Sequence, residues 1–223
     1  MSAAGYRSIS LVLGMCVLAA GCSVLAPRPD RSRFYILTPA SDGAAAPALA
    51  AAASPSAQLT LGVGPVSLPD YLRRLPVVTR IEPNRIEIAE EKRWAEPLDK
   101  SFTRVLCENL ATMLGTERIE RYPWPLATKL DYRIEVDVER FETTSDGQTQ
   151  LVASWIIRDG RDGKILYASR TVASAPAGAD ATSASAALSA DLATMCREIA
   201  TQIGALERRR TPANSEASAA SAP

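Results

Sequence analysis

Four cysteines and no histidine set the limits on the chemistry open to this chain. Without histidine there is no Ser–His or Cys–His nucleophilic pair, no imidazole metal ligand and no switch that titrates unaided near neutral pH. Cys22 stands apart from the other thiols. It follows Leu18-Ala19-Ala20-Gly21 directly, and those small side chains leave a peptidase room to cut just before it. A thiol so placed can become the first residue of a mature chain and carry a diacylglyceryl group on its sulfur. Cys16 lies inside an apolar run beside the larger Met15 and reads as part of that run. Cys107 and Cys196 are too few for a structural zinc site, whereas an oxidising compartment permits a disulfide between them. A bond needs Cα atoms within about 7 Å. The alternative, and the commoner outcome, is two buried thiols acting as small hydrophobes.

Other residues have the right types for chemistry but weaker spacing. Glu90, Glu91 and Glu96 surround Lys92 and Arg93. Paired carboxylates can do acid–base work, but a solvated edge laced with weak surface ion pairs is the more economical reading. Tyr71, Arg73, Arg74 and Arg80 surround a turn and a hairpin. Their guanidinium forks suit a partner or lipid phosphates, and ordinary snorkelling surface explains them equally well. Trp94 is either a partner or lipid contact or a plug for the core edge. Trp124, in the apolar loop Tyr122-Pro123-Trp124-Pro125, is a further candidate for contact with a neighbour. No phosphate loop, cofactor motif, metal cluster or nucleophile with its base is recognisable. The expectation is a protein without catalytic residues, resident metal or cofactor. With 25 basic and 25 acidic residues, no charge excess argues for nucleic acid.

The chain around these residues divides cleanly. Arg7 is the only charge before the apolar run Ile9–Ala20. That run is shorter than the roughly 20 residues a membrane-spanning helix needs, so residues 1–21 read as a secretory signal. Residues 18–22 resemble the bacterial lipobox, with one departure: the preferred Leu stands four places before the cysteine. Ser23 resembles an outer-membrane address, because it is not the Asp that favours inner-membrane retention. Residues 22–32 then form a proline-containing tether. A single domain over 33–207 follows, interrupted by an Ala/Pro-rich loop at 41–57 that offers little to bury. Residues 208–223 read as a disordered tail.

Within the domain, residues 33–37 and 59–66 read as strands, and 77–82 with 85–90 as a hairpin turning at Pro83-Asn84. Leu98, Phe102, Val105, Leu106, Leu110, Met113 and Leu114 make the apolar stripe of a helix that opens at Pro97 and stops at Gly115. Residues 132–141 alternate: Ile134, Val136 and Val138 face one way, and Arg133, Glu135, Asp137 and Glu139 the other. They predict a half-buried strand with one wet face. Two more strands, 150–158 and 165–173, complete a meander. A low-complexity loop over 174–185 leads to a second helix with the stripe Leu188, Leu192, Met195, Ile199, Ile203 and Leu206. The fold class is therefore α/β, with a mixed, largely antiparallel sheet packed against two amphipathic helices.

Several of these segments are similar to the PqiC-type ABC transport auxiliary lipoproteins, partners of MCE-domain transport systems. The resemblance rests on Phe34-Tyr35-Ile36-Leu37, on Gly62-Val63-Gly64-Pro65-Val66 with Leu68-Pro69 and Tyr71-Leu72, on Val77-Val78-Thr79-Arg80, and on Trp94-Ala95-Glu96-Pro97-Leu98. The last of these beside a lipobox is the most specific. The long Ala-rich loop and the run Arg74-Leu75-Pro76-Val77-Val78 depart from the family pattern without touching its core. The resemblance implies a fold similar to the N-terminal domain of TolB and no catalytic residues. It implies a lipid-anchored adaptor on the outer membrane, facing the periplasm, that works with an MCE-domain protein and an ABC permease/ATPase, and a homo-oligomeric ring is consistent with it. The competing expectation is a carrier that holds a phospholipid in its own cavity. A carrier requires an apolar space between helices and sheet, whereas an adaptor requires a filled core.

Overall fold

The computed structural model describes residues 30–40 and 59–220, with side chains through Arg210. The segment read as a signal, Cys22 with most of the stretch read as a tether, and the Ala/Pro-rich loop read at 41–57 lie outside the described residues. Eight strands and two α-helices follow in order: β1 (Arg33–Tyr35), β2 (Leu61–Ser67), β3 (Pro76–Glu82), β4 (Arg85–Trp94), α1 (Leu98–Leu114), β5 (Ile119–Arg121), β6 (Tyr132–Thr144), β7 (Thr149–Asp159), β8 (Ile165–Ala173) and α2 (Ala181–Ala220).

β6 organises the sheet. One of its edges pairs with β7 in an antiparallel ladder from Tyr132↔Asp159 to Thr143↔Thr149, and β8 adds antiparallel to β7. The other edge is shared: β2 runs parallel along Tyr132–Asp137, and β3 runs parallel at Thr143 and Thr144. β5 extends β2 in parallel, β4 extends β3 as an antiparallel hairpin, and β1 adds parallel to β4. The single eight-stranded sheet therefore forks at β6 into a trunk, β5-β2-β6-β7-β8, and a branch, β3-β4-β1. The longest ladders are antiparallel, so the mixed, mostly antiparallel class expected from the sequence is the one observed.

Both helices pack on one face, α1 over β2 and β5, α2 over β7 and β8, and they pack against each other. The alternation of β6 decides which face: Ile134, Val136 and Val138 are buried beneath the helices, while Asp137 and Glu139 are exposed. Gly115 ends α1 in the left-handed conformation, φ 63°, where its N–H closes on the Ala111 carbonyl.

Three features differ from the sequence reading. β5 was not anticipated, because three residues, Ile119-Glu120-Arg121, show no period. α2 begins at Ala181, within the stretch read as loop. Asp180 caps it: the Ser183 N–H donates to Asp180 Oδ1 at 2.8 Å, and the Asp180 N–H reaches back to Ser183 Oγ at 3.3 Å. α2 also continues to Ala220, through residues read as a disordered tail. Its Arg210 lies over the Tyr132 ring at 5.2 Å and meets Glu207 at 3.6 Å, which holds the start of that stretch on the sheet.

Candidate functional site

The turn after β2 brings Tyr71 and Arg80 together. Pro69 opens a 3-10 turn over Asp70–Leu72 that buries Leu72 and leaves Tyr71 beside β3. Arg80 Nη2 donates to the Tyr71 hydroxyl at 3.5 Å, and its guanidinium carbon lies 5.8 Å from the Tyr71 ring centre. Nη1 donates to the Pro83 carbonyl at 2.8 Å, and Nε donates to Glu142 Oε1. The side chain of Glu142 is completely buried. Its second oxygen, Oε2, has no hydrogen-bond partner among the described residues. The charge-assisted bond to Glu142 is the first cause holding the Arg80 pKa above its ordinary value. Burial is the first cause raising that of Tyr71, with Glu142 adding to it.

This cluster sits where the branch leaves the trunk. Each Arg80 nitrogen donates to a partner inside the protein, so the group is a clamp between β3 and β6 and not an open fork for phosphate. Beside it the Thr79 and Thr143 hydroxyls lie 3.0 Å apart across the same short parallel ladder. Glu142 was not singled out from the sequence. The available signal was an acid lodged between Phe141 and Thr143, both of which are buried.

The remaining sequence candidates are dispersed. Arg74 is exposed. Trp94 is 4% exposed and belongs to the core; its backbone N–H donates to the Leu75 carbonyl at 2.7 Å. Of its two readings, core plug is the one the structure adopts, because Trp94 pairs with Tyr35 on the helix-facing side of the branch. Trp124 is half-buried at the far end of the trunk, packed edge-to-face on Tyr122 with ring centres 5.4 Å apart. It covers the outer side of β2 at Gly62, where a Cβ would stand 3.1 Å from the indole and 2.6 Å from Leu130 Cδ1. Tyr122 and Leu126 of the same loop are exposed. Glu96, from the acidic cluster, bonds Arg104 Nη2 at 2.9 Å, and Arg104 also reaches Glu108 at 3.2 Å and the Leu37 carbonyl at 3.1 Å. Glu90 and Glu91 remain exposed along β4.

Cys107 and Cys196 are both free and buried where the helices meet the sheet. The pairing weighed for them is not made. Asn109 Nδ2 donates to Cys196 Sγ at 3.7 Å, and Cys107 faces Arg121 of β5 instead. Burial pushes the Cys107 thiol up to about 11 and the Cys196 thiol up to about 12. Both are protonated and unreactive at neutral pH.

Missed altogether were the apolar side chains that the branch turns to solvent. Phe34 is 62% exposed, Ile36 48% and Leu75 46%. Parity held the signal for the first two: Tyr35 and Leu37 face the helices, so their neighbours must face outward.

Among the described residues, the layer between the helices and the middle of the sheet is closely packed. Phe102 of α1 meets Phe141 of β6 edge-to-face with ring centres 5.2 Å apart. Leu106, Leu110, Ile134, Ile157 and Ile199 interlock around them at 0% exposure. Clefts of about 550 and 480 Å³ lie between β8 and α2 and between β2 and α1, each with charged lining residues such as Arg170, Arg197 and Glu198, or Lys100, Arg104 and Arg121. No helix among the described residues is long and apolar enough to cross a membrane.

Comparison with known proteins places these features in context. Residues 42–200 match the family described as ABC-type transport auxiliary lipoprotein component. A 97-residue stretch, 44% of the chain, is 31% identical to the intermembrane transport lipoprotein PqiC of Escherichia coli (strain K12), and to the same degree to that of Shigella flexneri. The chain spans about half the length of these curated relatives, 50% in each case. A solved structure of a Xanthomonas campestris protein superposes with a TM-score of 0.62 at 16% identity, covering 80% of this chain and 99% of that one. An uncharacterized protein superposes at 0.61 with 21% identity, covering 77% and 98%. At these identities the likeness is one of fold.

Proposed function

The chain belongs to the ABC-type transport auxiliary lipoprotein component family, and from that premise we propose that it is a non-enzymatic docking adaptor, held by lipid on Cys22 to the periplasmic face of the outer membrane. Its partners on this reading are an MCE-domain protein and an ABC permease/ATPase system that moves lipid across the envelope. The intermembrane transport named for the PqiC relatives supports that direction. So does a chain without histidine, in which the buried acid Glu142 is paired with Arg80 and joins two parts of the sheet.

The observation that carries the adaptor reading is the interlocked layer of Phe102, Phe141, Leu106, Leu110 and Ile199. An acyl chain held between helices and sheet would have to displace these side chains, each contributing roughly 1.5–3 kcal/mol by its burial. Work is then left to surfaces: the branch with Arg74, and the loop with Tyr122, Trp124 and Leu126.

Affinity purification of the mature protein in mild detergent is expected to recover an MCE-domain protein or its permease. Repeated recovery of the lipoprotein alone contradicts the adaptor role. A Cys22→Ser variant is expected to accumulate as an unacylated precursor. Undiminished fatty-acid labelling of that variant contradicts the anchor assignment.

A further inference from the structure

The branch presents an outward face unlike the rest of the sheet. On the trunk, exposed charges neutralise one another: Glu139 holds Arg170 at 2.8 Å, and Glu135 holds Arg158 at 2.8 Å. On the branch, Phe34 of β1 stands beside Arg93 of β4, which stands beside Pro76 of β3. Ile36 follows Phe34 on the same side, and Arg74 and Leu75 lead into Pro76. Arg33, Arg74 and Arg93 form no ion pair among the described residues. The nearby acids include Asp30 before β1, Asp70, which is paired with Arg73 at 3.5 Å, and the exposed Glu90 and Glu91 of β4, and Arg93 Nε donates to the Glu90 carbonyl at 2.9 Å. Three exposed apolar side chains thus lie beside Arg74 and Arg93, neither of which is held in a side-chain ion pair among the described residues.

We propose that this outer face, with Phe34, Ile36 and Leu75 flanked by Arg74 and Arg93, rests on the anionic headgroup surface of the bilayer that holds the chain's lipid anchor. The proposal deepens the adaptor reading and depends on its Cys22 anchor. Three observations choose a bilayer as the occupant. Large apolar side chains ringed by arginines match the headgroup–acyl boundary, where the first enter the apolar layer and the second meet phosphates. The face is on β1, the first strand after the tether. The stretch from Cys22 to Arg33 spans at most on the order of 40 Å even when fully extended, so an anchored chain keeps β1 within reach of the surface. Contact with that surface would fix the tilt of the sheet and so give a defined presentation of the loop where Tyr122 and Leu126 are exposed.

The test uses the mature full-length protein reconstituted on vesicles of phosphatidylethanolamine and phosphatidylglycerol. The acyl group is first read by mass spectrometry. Amide hydrogen exchange of residues 33–37 and 73–76 is then compared with that on uncharged phosphatidylcholine vesicles. The expected result is exchange about tenfold slower on the anionic vesicles, partly restored by salt. Phe34→Ser with Ile36→Ser, or Arg74→Glu with Arg93→Glu, is expected to abolish the protection while β6 and β7 exchange as before. An acylated, vesicle-bound protein whose β1 exchanges equally fast on both vesicles overturns the surface contact and leaves the anchor standing. A protein without fatty acid that stays in the supernatant overturns both.

Discussion

The two faces of this one sheet are built from neighbouring residues of the same strands, yet they differ in kind. On the helix-covered side, Ile134, Val136, Trp155 and Ile157 meet Phe102, Leu106 and Ile199 with almost no exposed surface. On the open side, Arg133, Glu135, Asp137 and Glu139 alternate with them; Glu135 pairs across strands with Arg158, and Glu139 with Arg170. The covered side determines whether the chain folds. The open side, its branch and its loops are free to determine what the protein touches, because substitutions there cost little stability. Burial thus separates folding from adhesion along a single strand.

Substitutions that divide the two faces sharpen this contrast, beginning with the deepest. Phe102→Ala removes the ring facing Phe141 and should cost about 3–5 kcal/mol of unfolding free energy in urea titrations; a loss below about 1 kcal/mol would mean that the core is not closed there. Arg80→Ala leaves Glu142 buried without its cation and should cost about 3 kcal/mol. Its signature is local: hydrogen exchange should quicken in β3 and β4 before β7, since Arg80 joins branch to trunk. Uniform quickening would contradict the clamp.

The buried thiols supply a pH signature. Unfolded cysteines ionise near about 8.5, whereas burial pushes Cys107 up to about 11 and Cys196 up to about 12. The folded state therefore binds more protons than the unfolded state between those values. The resulting stability is complete below the unfolded pKa and is lost as pH rises through the folded ones, by about 1.4 kcal/mol per thiol for each pH unit. Burial raises Tyr132 to about 12, which adds loss in the same direction. Chemical denaturation at pH 8 and pH 10 should show this decline, and Cys107→Ala with Cys196→Ala should flatten it. An unchanged slope in that variant would assign the decline to other groups. The smallest effect belongs to the open face: Glu139→Ala should leave the melting curve where it is, despite the 2.8 Å pair with Arg170, because both groups are solvated.

What the sequence revealed follows the same division. Local periodicity was sufficient wherever one face is buried. The stripe from Leu98 to Leu114 placed α1, and the alternation from Arg133 to Glu139 placed β6 and its wet face. Non-local pairing left no such mark. Nothing in Leu61–Ser67 states that it runs parallel to Tyr132–Asp137, or that β3 and β2 share one edge of β6. Short or small-residue segments were also silent: β5 is three residues long, and Asp180–Ser183 looks like loop until its side chains are seen closing a cap. For the surface, chemistry-bearing residue types were visible but their burial was not. Trp94 and Arg80 turned inward, while Phe34 and Ile36, read as strand residues and as part of the family resemblance but not as contact candidates, turned out to be the exposed ones.

A lipoprotein that docks around a packed core needs no lipid beyond its own anchor. Native mass spectrometry of the protein released gently from its membrane tests it most directly. The account predicts the mass of the polypeptide with its covalent lipid and no further phospholipid at any charge state. A stoichiometric, non-covalently held phospholipid, lost from a variant that fills the space around Phe102 and Phe141, would contradict it and identify a carrier instead.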